Sequence, residues 1–322
     1  MIERALLARL CRGPASGEEL AREAGITRAA VWKRMQALRE AGVEIHARPG
    51  RGYALQRPLE LLEAERLRAA LSPAAREQLA RLTVLFDTDS TNAEALREPV
   101  PARGCAVWLA ERQRAGRGRR GRQWASPLAA HVYLSLSRRF EGGIAGLQGL
   151  SLAVGVAACE ALRGLGFSAV GLKWPNDLLA QGRKLGGILV EVGGEAAGPI
   201  HVVAGLGVNV QMPAASARDI DQAWIDLAGL GAAAPVSRQA VATALLDALL
   251  PALAQFGQEG LAPFLARWPA LDVLAGRQVR VDCAGQMHEG IALGVSADGA
   301  LRLDVRGRER RFHAGEASLR PS

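Results

Sequence analysis

The sequence predicts an α+β protein built in three successive parts. Three observations carry that expectation. Residues 1 to about 57 place helix-start signals ahead of a short alternating hairpin. From Thr83 to about Trp268, helical periods are mixed with strand-like runs, three of which follow one another too closely for βαβ crossovers. From about Leu271 only short strand-like runs remain, separated by Gly-containing turns. The parts are expected at residues 1–62, 63–270 and 271–322.

The first part carries eleven Arg and Lys against six acids over residues 1–57. Ile2, Leu6 and Leu10 recur at helical spacing. Ser16-Gly17-Glu18-Glu19 is a capping box that opens a second helix, and Gly25 sits where that helix should end. Thr27 can cap a third helix, Arg28 to Ala41, with Val31, Met35 and Leu38 as its buried stripe. Alternation from Val43 to Arg48, the turn Pro49-Gly50-Arg51-Gly52 and Tyr53-Ala54-Leu55 follow. Helix, turn, helix and hairpin is the plan of a winged helix-turn-helix. Arg28, Lys33 and Arg34 on the second helix of the pair, with Arg51 at the hairpin tip, are the expected phosphate contacts to DNA. A module that only dimerises or packs is the competing reading.

In the second part, Pro58 to about Pro73 is expected to be a helical connector. Val84-Leu85-Phe86, Ala106 to Leu109 and His131 to Ser137 read as strands, and Ser151 to Leu165 as a buried helix. Val170 to Trp174, Gly187 to Val192 and Ile200 to Val210 read as three closely spaced strands. Ser237 to Phe256 reads as an amphipathic helix with Ser237 as its cap. In the third part the strands are Val279 to Asp282, Met287 to Val295, Ala300 to Arg306 and Glu309 to His313, a small β-barrel of SH3-like size.

The most informative stretch runs from Gln113 to Trp124. Six arginines (Arg112, Arg114, Arg117, Arg119, Arg120, Arg122) fall within eleven residues, with Gly116, Gly118 and Gly121 interleaved. Such a backbone is too flexible to hold one shape and calls for an anion to complete it. Guanidinium groups grip phosphate and carboxylate bidentately, and glycines let backbone N–H groups approach those oxygens. A solvated basic loop is the competing reading. Gly116 to Gly121 also matches G-x-G-x-x-G, but that fingerprint should open a helix and meet an acid about 20 residues later. Here a strand-like run follows, and no Asp or Glu occurs between Trp124 and Phe140.

Bulk properties narrow the chemistry. The formal charge is +8, which favours nucleic acid, nucleotide or an acidic protein as partner. The four cysteines (Cys11, Cys105, Cys159, Cys283) form no C-x-x-C, and the five histidines are equally dispersed. That argues for a reducing compartment and against a disulfide framework or a metal cage, and metal ligands stay unassigned. The longest apolar run, Leu150 to Cys159, is well short of the roughly 20 residues that span a bilayer. No targeting segment is visible, so a cytoplasmic protein without a membrane partner is expected.

Three further segments gather polar groups. Asp89-Ser90-Thr91-Asn92 stands between a strand and a helix, where hydroxyls meet unpaired N–H donors, although simple capping uses the same residues. Lys173-Trp174-Pro175-Asn176-Asp177 ends a strand in a polar turn. Arg183-Lys184-Leu185-Gly186-Gly187 starts the next strand and brings Lys184 near that turn, where a surface lysine at a hairpin is the competing reading.

In this order the segments resemble the bifunctional bacterial biotin–protein ligases that also repress the biotin operon. The resemblance covers essentially the whole length and extends to Lys184-Leu185-Gly186-Gly187-Ile188-Leu189. It implies a winged helix-turn-helix, a central mixed or antiparallel-sheet α+β ligase domain and a C-terminal SH3-like β-barrel. It implies biotin binding by Ser90, Thr91, Asn92, Gln113, Arg117, Gly118, Arg119 and Lys184, with Lys184 and Arg119 as the catalytic cations. It assigns Arg120, Arg122, Trp124, Lys173, Asn176, Asp177, Asn209 and Trp224 to ATP and the adenylate. Gln123 departs from the family, which often has a basic residue there.

The implied reaction joins biotin and ATP, with Mg²⁺, into biotinyl-5'-AMP. A lysine of the biotin carboxyl carrier protein of acetyl-CoA carboxylase then attacks the activated carbonyl. A carboxylate and a polyphosphate repel one another, so converging cations are the main requirement. Holding the reactants in line contributes on the order of 7–11 kcal/mol. Asp177 is a candidate base for the acceptor amine on residue type alone. Biotinyl-5'-AMP would also act as corepressor, ordering the arginine loop and promoting a homodimer on operator DNA. A biotin sensor without catalysis and a lipoyl-type ligase are the alternatives. The intact Lys184 and arginine loop argue against the first; the Ser90–Thr91 pair, suited to a ureido group, argues against the second.

Overall fold

Local capping chemistry sets the N-terminal helices. A computed structural model describes residues 2–48, 52–141, 143–193, 199–218, 220–231, 235–283, 285–314 and 317–321. Its first elements are α1 (Ile2–Cys11), α2 (Gly17–Ala24) and α3 (Arg28–Glu40). The Ser16 hydroxyl accepts from Glu19 N, and the Glu19 carboxylate accepts from Ser16 N at 2.7 Å. Gly25 ends α2 in the left-handed region at φ 64, and Thr27 caps α3. Val31, Met35 and Leu38 are buried together with Leu6, Leu7, Leu10 and Leu20. The antiparallel hairpin β1 (Ile45–Arg48) and β2 (Gly52–Leu55) follows, and Tyr53 exchanges two backbone hydrogen bonds with Ala15. The hairpin tip, and Arg51 with it, lies outside the described residues.

The connector is helical only in part: α4 (Ala64–Ala70) and α5 (Pro73–Gln78) are preceded by extended chain. A seven-stranded sheet follows, in the order β3-β4-β5-β9-β8-β7-β6. Its strands are β3 (Leu79–Leu85), β4 (Cys105–Ala110), β5 (Val132–Phe140), β6 (Val170–Lys173), β7 (Asp177–Ala180), β8 (Arg183–Gly193) and β9 (Ile200–Val208). The close-set strands β6 to β9 pair antiparallel, as their spacing predicts. The pair β3–β4 is parallel and is joined through α6 (Thr91–Arg97), so the sheet is mixed. Strand β3 starts at Leu79, not Val84, because this partly exposed edge strand lacks a clean alternation. Strand β7 was not expected at all. Its four residues Asp-Leu-Leu-Ala alternate poorly and follow a polar turn directly.

Helices α7 (Leu150–Gly164) and α8 (Arg238–Glu259) pack on one another and on one face of the sheet; α6 covers part of the other face, against Trp108 and Val203. α8 and the segment Ile144–Gly164 are as apolar as membrane spans, with mean hydropathy 1.5 each. Burial against the sheet accounts for that, since α7 and α8 supply much of the main core. The short helix α9 (Ala262–Leu265) leads to the last unit.

That unit is an antiparallel sheet in the order β13-β12-β11-β10-β14. Its strands are β10 (Gln278–Cys283), β11 (Gln286–Val295), β12 (Leu301–Val305), β13 (Arg308–Phe312) and β14 (Ala317–Pro321). The expected small barrel is therefore a five-stranded sheet whose last strand escapes sequence reading; β14 is short, contains Pro321 and pairs only with distant β10. Trp174 Nε1 donates to Gly299 O at 3.0 Å and ties this sheet to the middle one.

A buried ion pair within the middle unit holds the connector that precedes α4. Glu111 is fully buried; its carboxylate accepts from Leu62 N at 2.6 Å and from Arg238 Nη1 at 2.7 Å. Arg238 also donates to Glu60 O and His131 O. Burial pushes the His131 imidazole down to about 3, and its Nδ1 accepts from Val210 N. Nearby, Leu128 and Ala129 are packed in the N-terminal core, and Leu128 N donates to Ala41 O at 3.0 Å. Replacing Arg238→Met leaves the Glu111 carboxylate buried without its counter-ion. A loss of about 3–5 kcal/mol is expected, read as a lowered denaturant midpoint at unchanged slope. Adding Glu111→Gln should restore part of it.

Candidate active site

Glycines make the floor of the cleft. Gly187 and Gly207 face one another across β8 and β9, and Leu189 faces Gly205. A Cβ on Gly207 would stand 2.7 Å from the Trp124 ring, and one on Gly205 would stand 2.2 Å from Asn92 Oδ1. Only glycine therefore admits the indole and the amide against the sheet. The Trp124 indole N–H is buried and has no hydrogen-bond acceptor among the described residues.

One end of the cleft is a neutral polar cluster. Ser90 caps α6. Gln113 Oε1 accepts from Thr91 N at 2.9 Å and from Thr91 Oγ1 at 3.1 Å, while Gln113 Nε2 donates to Ser126 Oγ at 3.2 Å. Ser135 Oγ lies 2.7 Å from Thr91 Oγ1 and 2.6 Å from Asn92 Oδ1. Asn92 Nδ2 donates to Glu191 Oε2 at 2.7 Å, and Glu191 in turn holds Arg117 at 3.1 Å. Asp89 has a scaffolding role. Its hydrogen bond to Arg97 holds the carboxyl down to about 2.

The other end is cationic. Lys184 Nζ is 2.8 Å from Asp177 Oδ1, Lys173 Nζ is 3.4 Å from Asp177 Oδ2, and Lys184 Nζ lies 5.6 Å from the Trp124 ring centre. Arg119 donates to Asn176 Oδ1 at 3.1 Å and to Ala314 O of the last unit. Burial is the main cause lowering its pKa, which still leaves a guanidinium charged. Asn176 Nδ2 donates to Ile188 O. Asn209 Nδ2 donates to Ile225 O at 3.1 Å, fixing the segment whose Trp224 forms an isolated bridge with Lys184.

The arginine loop finds its partners within the chain. Arg117 bridges to Gln123, Gly118 N donates to Arg122 O at 2.7 Å, and Trp124 N donates to Gly116 O at 2.9 Å. The backbone thus closes into a small hairpin. Arg114, Arg117 and Arg119 reach Asp87, Glu191 and Asn176. Arg120 and Arg122 are exposed and make no ion pair among the described residues.

Sequence reasoning missed Ser126, Ser135 and Glu191. Ser135 had a signal, a hydroxyl between two leucines of a mostly apolar strand, and it is fully buried. On α3, Arg28 and Lys33 are exposed, while Arg34 is ion-paired with Glu3 of α1. Trp32, 58% exposed and four residues after Arg28, was also missed; it stands off the apolar stripe.

Comparison with known proteins fits this geometry. A model described as the biotin/lipoate A/B protein ligase family matches residues 88–209, an HTH-domain model matches residues 3–54, and a biotin protein ligase C-terminal domain model matches residues 275–320. The bifunctional ligase/repressor BirA of Salmonella typhimurium is 41% identical over 95% of this chain and 93% of that protein. The chain belongs to the BirA ligase/repressor family. A biotin–[acetyl-CoA-carboxylase] ligase of Mycobacterium tuberculosis is 36% identical over 80% of this chain and 98% of that one. The structure of an Aquifex aeolicus biotin protein ligase with biotin and ATP superposes with TM-score 0.62 at 24% identity, covering 76% of this chain and all of that one, so the fold is shared.

In this BirA-family cleft, Gly207→Val cannot coexist with the indole on the floor. Overpacking should cost about 1–3 kcal/mol. Tryptophan emission should shift to the red, and a Trp124→Phe background should abolish that shift.

Proposed function

We propose that this chain is an ATP-dependent biotin–protein ligase, a biotin–[acetyl-CoA-carboxylase] ligase by activity, and also a biotin-responsive DNA-binding repressor. The observation that carries the reading is the two-ended cleft. Lys184, Lys173 and Arg119 converge at one end of a glycine floor, and a buried hydroxyl–amide cluster closes the other.

The neutral end suits a ureido head. Ser90, Thr91, Asn92 and Gln113, with Ser135 and Ser126, offer donors and acceptors side by side and no net charge. The glycine floor suits an apolar ring system, which would exchange places with the Trp124 indole and leave that indole to cover it. The carboxylate then points to Lys184. Unit charges about 4 Å apart interact by about 4 kcal/mol at an effective dielectric near 20, so each cation there matters. Asp177 holds Lys184 and Lys173; in the reaction, substrate carboxylate and α-phosphate oxygens compete for those amines.

Arg117, Gly118 and Arg119 bind through the loop, with Arg119 also supplying positive charge beside the α-phosphate. Asn176 and Asn209 lie on the nucleotide side, with Trp224 over the adenine and Arg120 and Arg122 at the rim. Among the described residues no cluster of three or more His, Cys, Asp or Glu side chains could hold a metal ion. Mg²⁺ is therefore expected to arrive on the ATP phosphates. Asp177, freed of Lys184, is the candidate base for the acceptor lysine, whose free pKa is about 10.4.

The DNA surface is Arg28, Lys33 and Arg34 with Arg51 of the wing. Biotinyl-5'-AMP acts as corepressor by favouring a homodimer that matches a two-fold operator. A cytoplasmic location without a membrane partner suits a carrier protein and an operator as partners.

Lys184→Ala should lower biotinyl-5'-AMP formation on the order of 100-fold or more, as for loss of a charge-stabilising donor. Arg119→Ala should form the adenylate but release it faster. Pyrophosphate release and adenylate retention read the two, and wild-type behaviour in both variants removes the assignment. Dimer affinity by sedimentation should rise when biotin and ATP are added; no ligand dependence discards the corepressor role.

A further inference from the structure

Helix α3 turns to solvent one side chain that phosphate contacts do not explain. Val31, Met35 and Leu38 are its buried stripe. At about 100° per residue, Ala29, Trp32, Lys33 and Gln36 share a different side, with Arg28 at its border. Trp32 is 58% exposed, more than any other large apolar side chain among the described residues. No cation packs over its ring among those residues. Arg28 and Lys33 are exposed and make no ion pair there, whereas Arg34 is held by Glu3.

The start of α3 adjoins the hairpin. A Cβ on Gly17 would stand 3.6 Å from the Tyr53 ring and 3.9 Å from Arg28 Nε, so the starts of α2 and α3 meet β2 at one corner. Trp32 and Lys33 follow within the first two turns of α3. In a helix-turn-helix, the N-terminal turns of the second helix are those that reach base edges. Phosphates are met by cations and carry no sequence information, and an uncharged indole adds little to them.

We propose that Trp32 reads a thymine in the major groove, its indole packing on the 5-methyl group while Arg28 and Lys33 on either side hold phosphates. The proposal rests on the DNA-binding reading above and adds a base to it. Thymine is the one base that presents an apolar group in that groove. An apolar side chain set there distinguishes A·T from G·C, and from T·A by the position of the methyl. The charge around the indole favours a duplex over a protein as its partner. Residues 1–57 carry eleven Arg and Lys against six acids, and the two cations that flank Trp32 have no ion-pair partner among the described residues.

The full-length wild-type protein, with biotin and ATP present, first selects duplexes from a randomised pool. Each thymine of a selected duplex is then replaced in turn by uracil, which deletes the methyl group and nothing else. At one position the replacement is expected to weaken wild-type binding on the order of tenfold. Trp32→Ala should weaken binding of the thymine duplex by a similar factor, and uracil at that position should then cost nothing further. Trp32→Phe should keep most of the discrimination. Affinity for a random-sequence duplex, and its salt slope, should stay at wild-type values because Arg28 and Lys33 remain. Equal binding of thymine and uracil by wild type at every position overturns the proposal, and this arm depends on no variant folding. A Trp32→Ala protein that still discriminates also overturns it, as does one that loses specific and random duplexes alike. Normal duplex affinity with a weakened homodimer in sedimentation assigns the indole to a second copy of the chain instead. Failure of wild type to select any duplex defeats the DNA-binding reading and the proposal with it.

Discussion

The site depends on backbone left bare. Two strands in the middle of a mixed sheet carry glycine where side chains would otherwise stand, and Asn92 and Trp124 lie directly on them. That single constraint fixes the depth of the cleft. It also brings α6, which carries the neutral polar groups, within hydrogen-bond reach of β8 through Asn92 and Glu191. The flanking helices supply the burial that holds the sheet, and the sheet supplies a surface on which a flat molecule can rest.

Electrostatics divides the cleft as sharply as packing does. Its neutral end is a set of hydroxyls and amides bonded to one another, with Asn92 also reaching Glu191. Its other end holds more cations than anions, with Asp177 shared between two lysines. Such a surplus is costly unless anions arrive, and two anionic reactants are what the proposed reaction brings. In the proposed function that asymmetry is what would orient the substrate, ring first and carboxylate last.

Legibility followed how local the physics was. The caps at Ser16, Thr27 and Ser237 were readable because a hydroxyl three residues before an N–H is a local event. The cationic loop, the Lys173–Asp177 turn and Lys184 stand out in the sequence because their charged and polar groups crowd into short stretches of chain. Ser135 and Glu191 were not. They lie on β5 and β8, and their meeting with Asn92 depends on α6 crossing both strands. Strands β7 and β14 were hidden by shortness, and the parallel β3–β4 pair by a crossover that sequence spacing alone does not announce. The arginine loop reads as loose in the sequence because its acceptors, Asp87, Glu191 and Asn176, are contributed by other elements.

The seam at Leu128 has a wider consequence. The chain leaving the arginine loop passes through Pro127 into Leu128, whose N–H is spent on Ala41 at the end of α3 and whose side chain belongs to the N-terminal core. Cutting the molecule at residue 62 would therefore strip one anchor from the loop and open apolar surface beside it, besides removing the helix-turn-helix. The N-terminal unit and the arginine loop thus share one anchor, at Leu128.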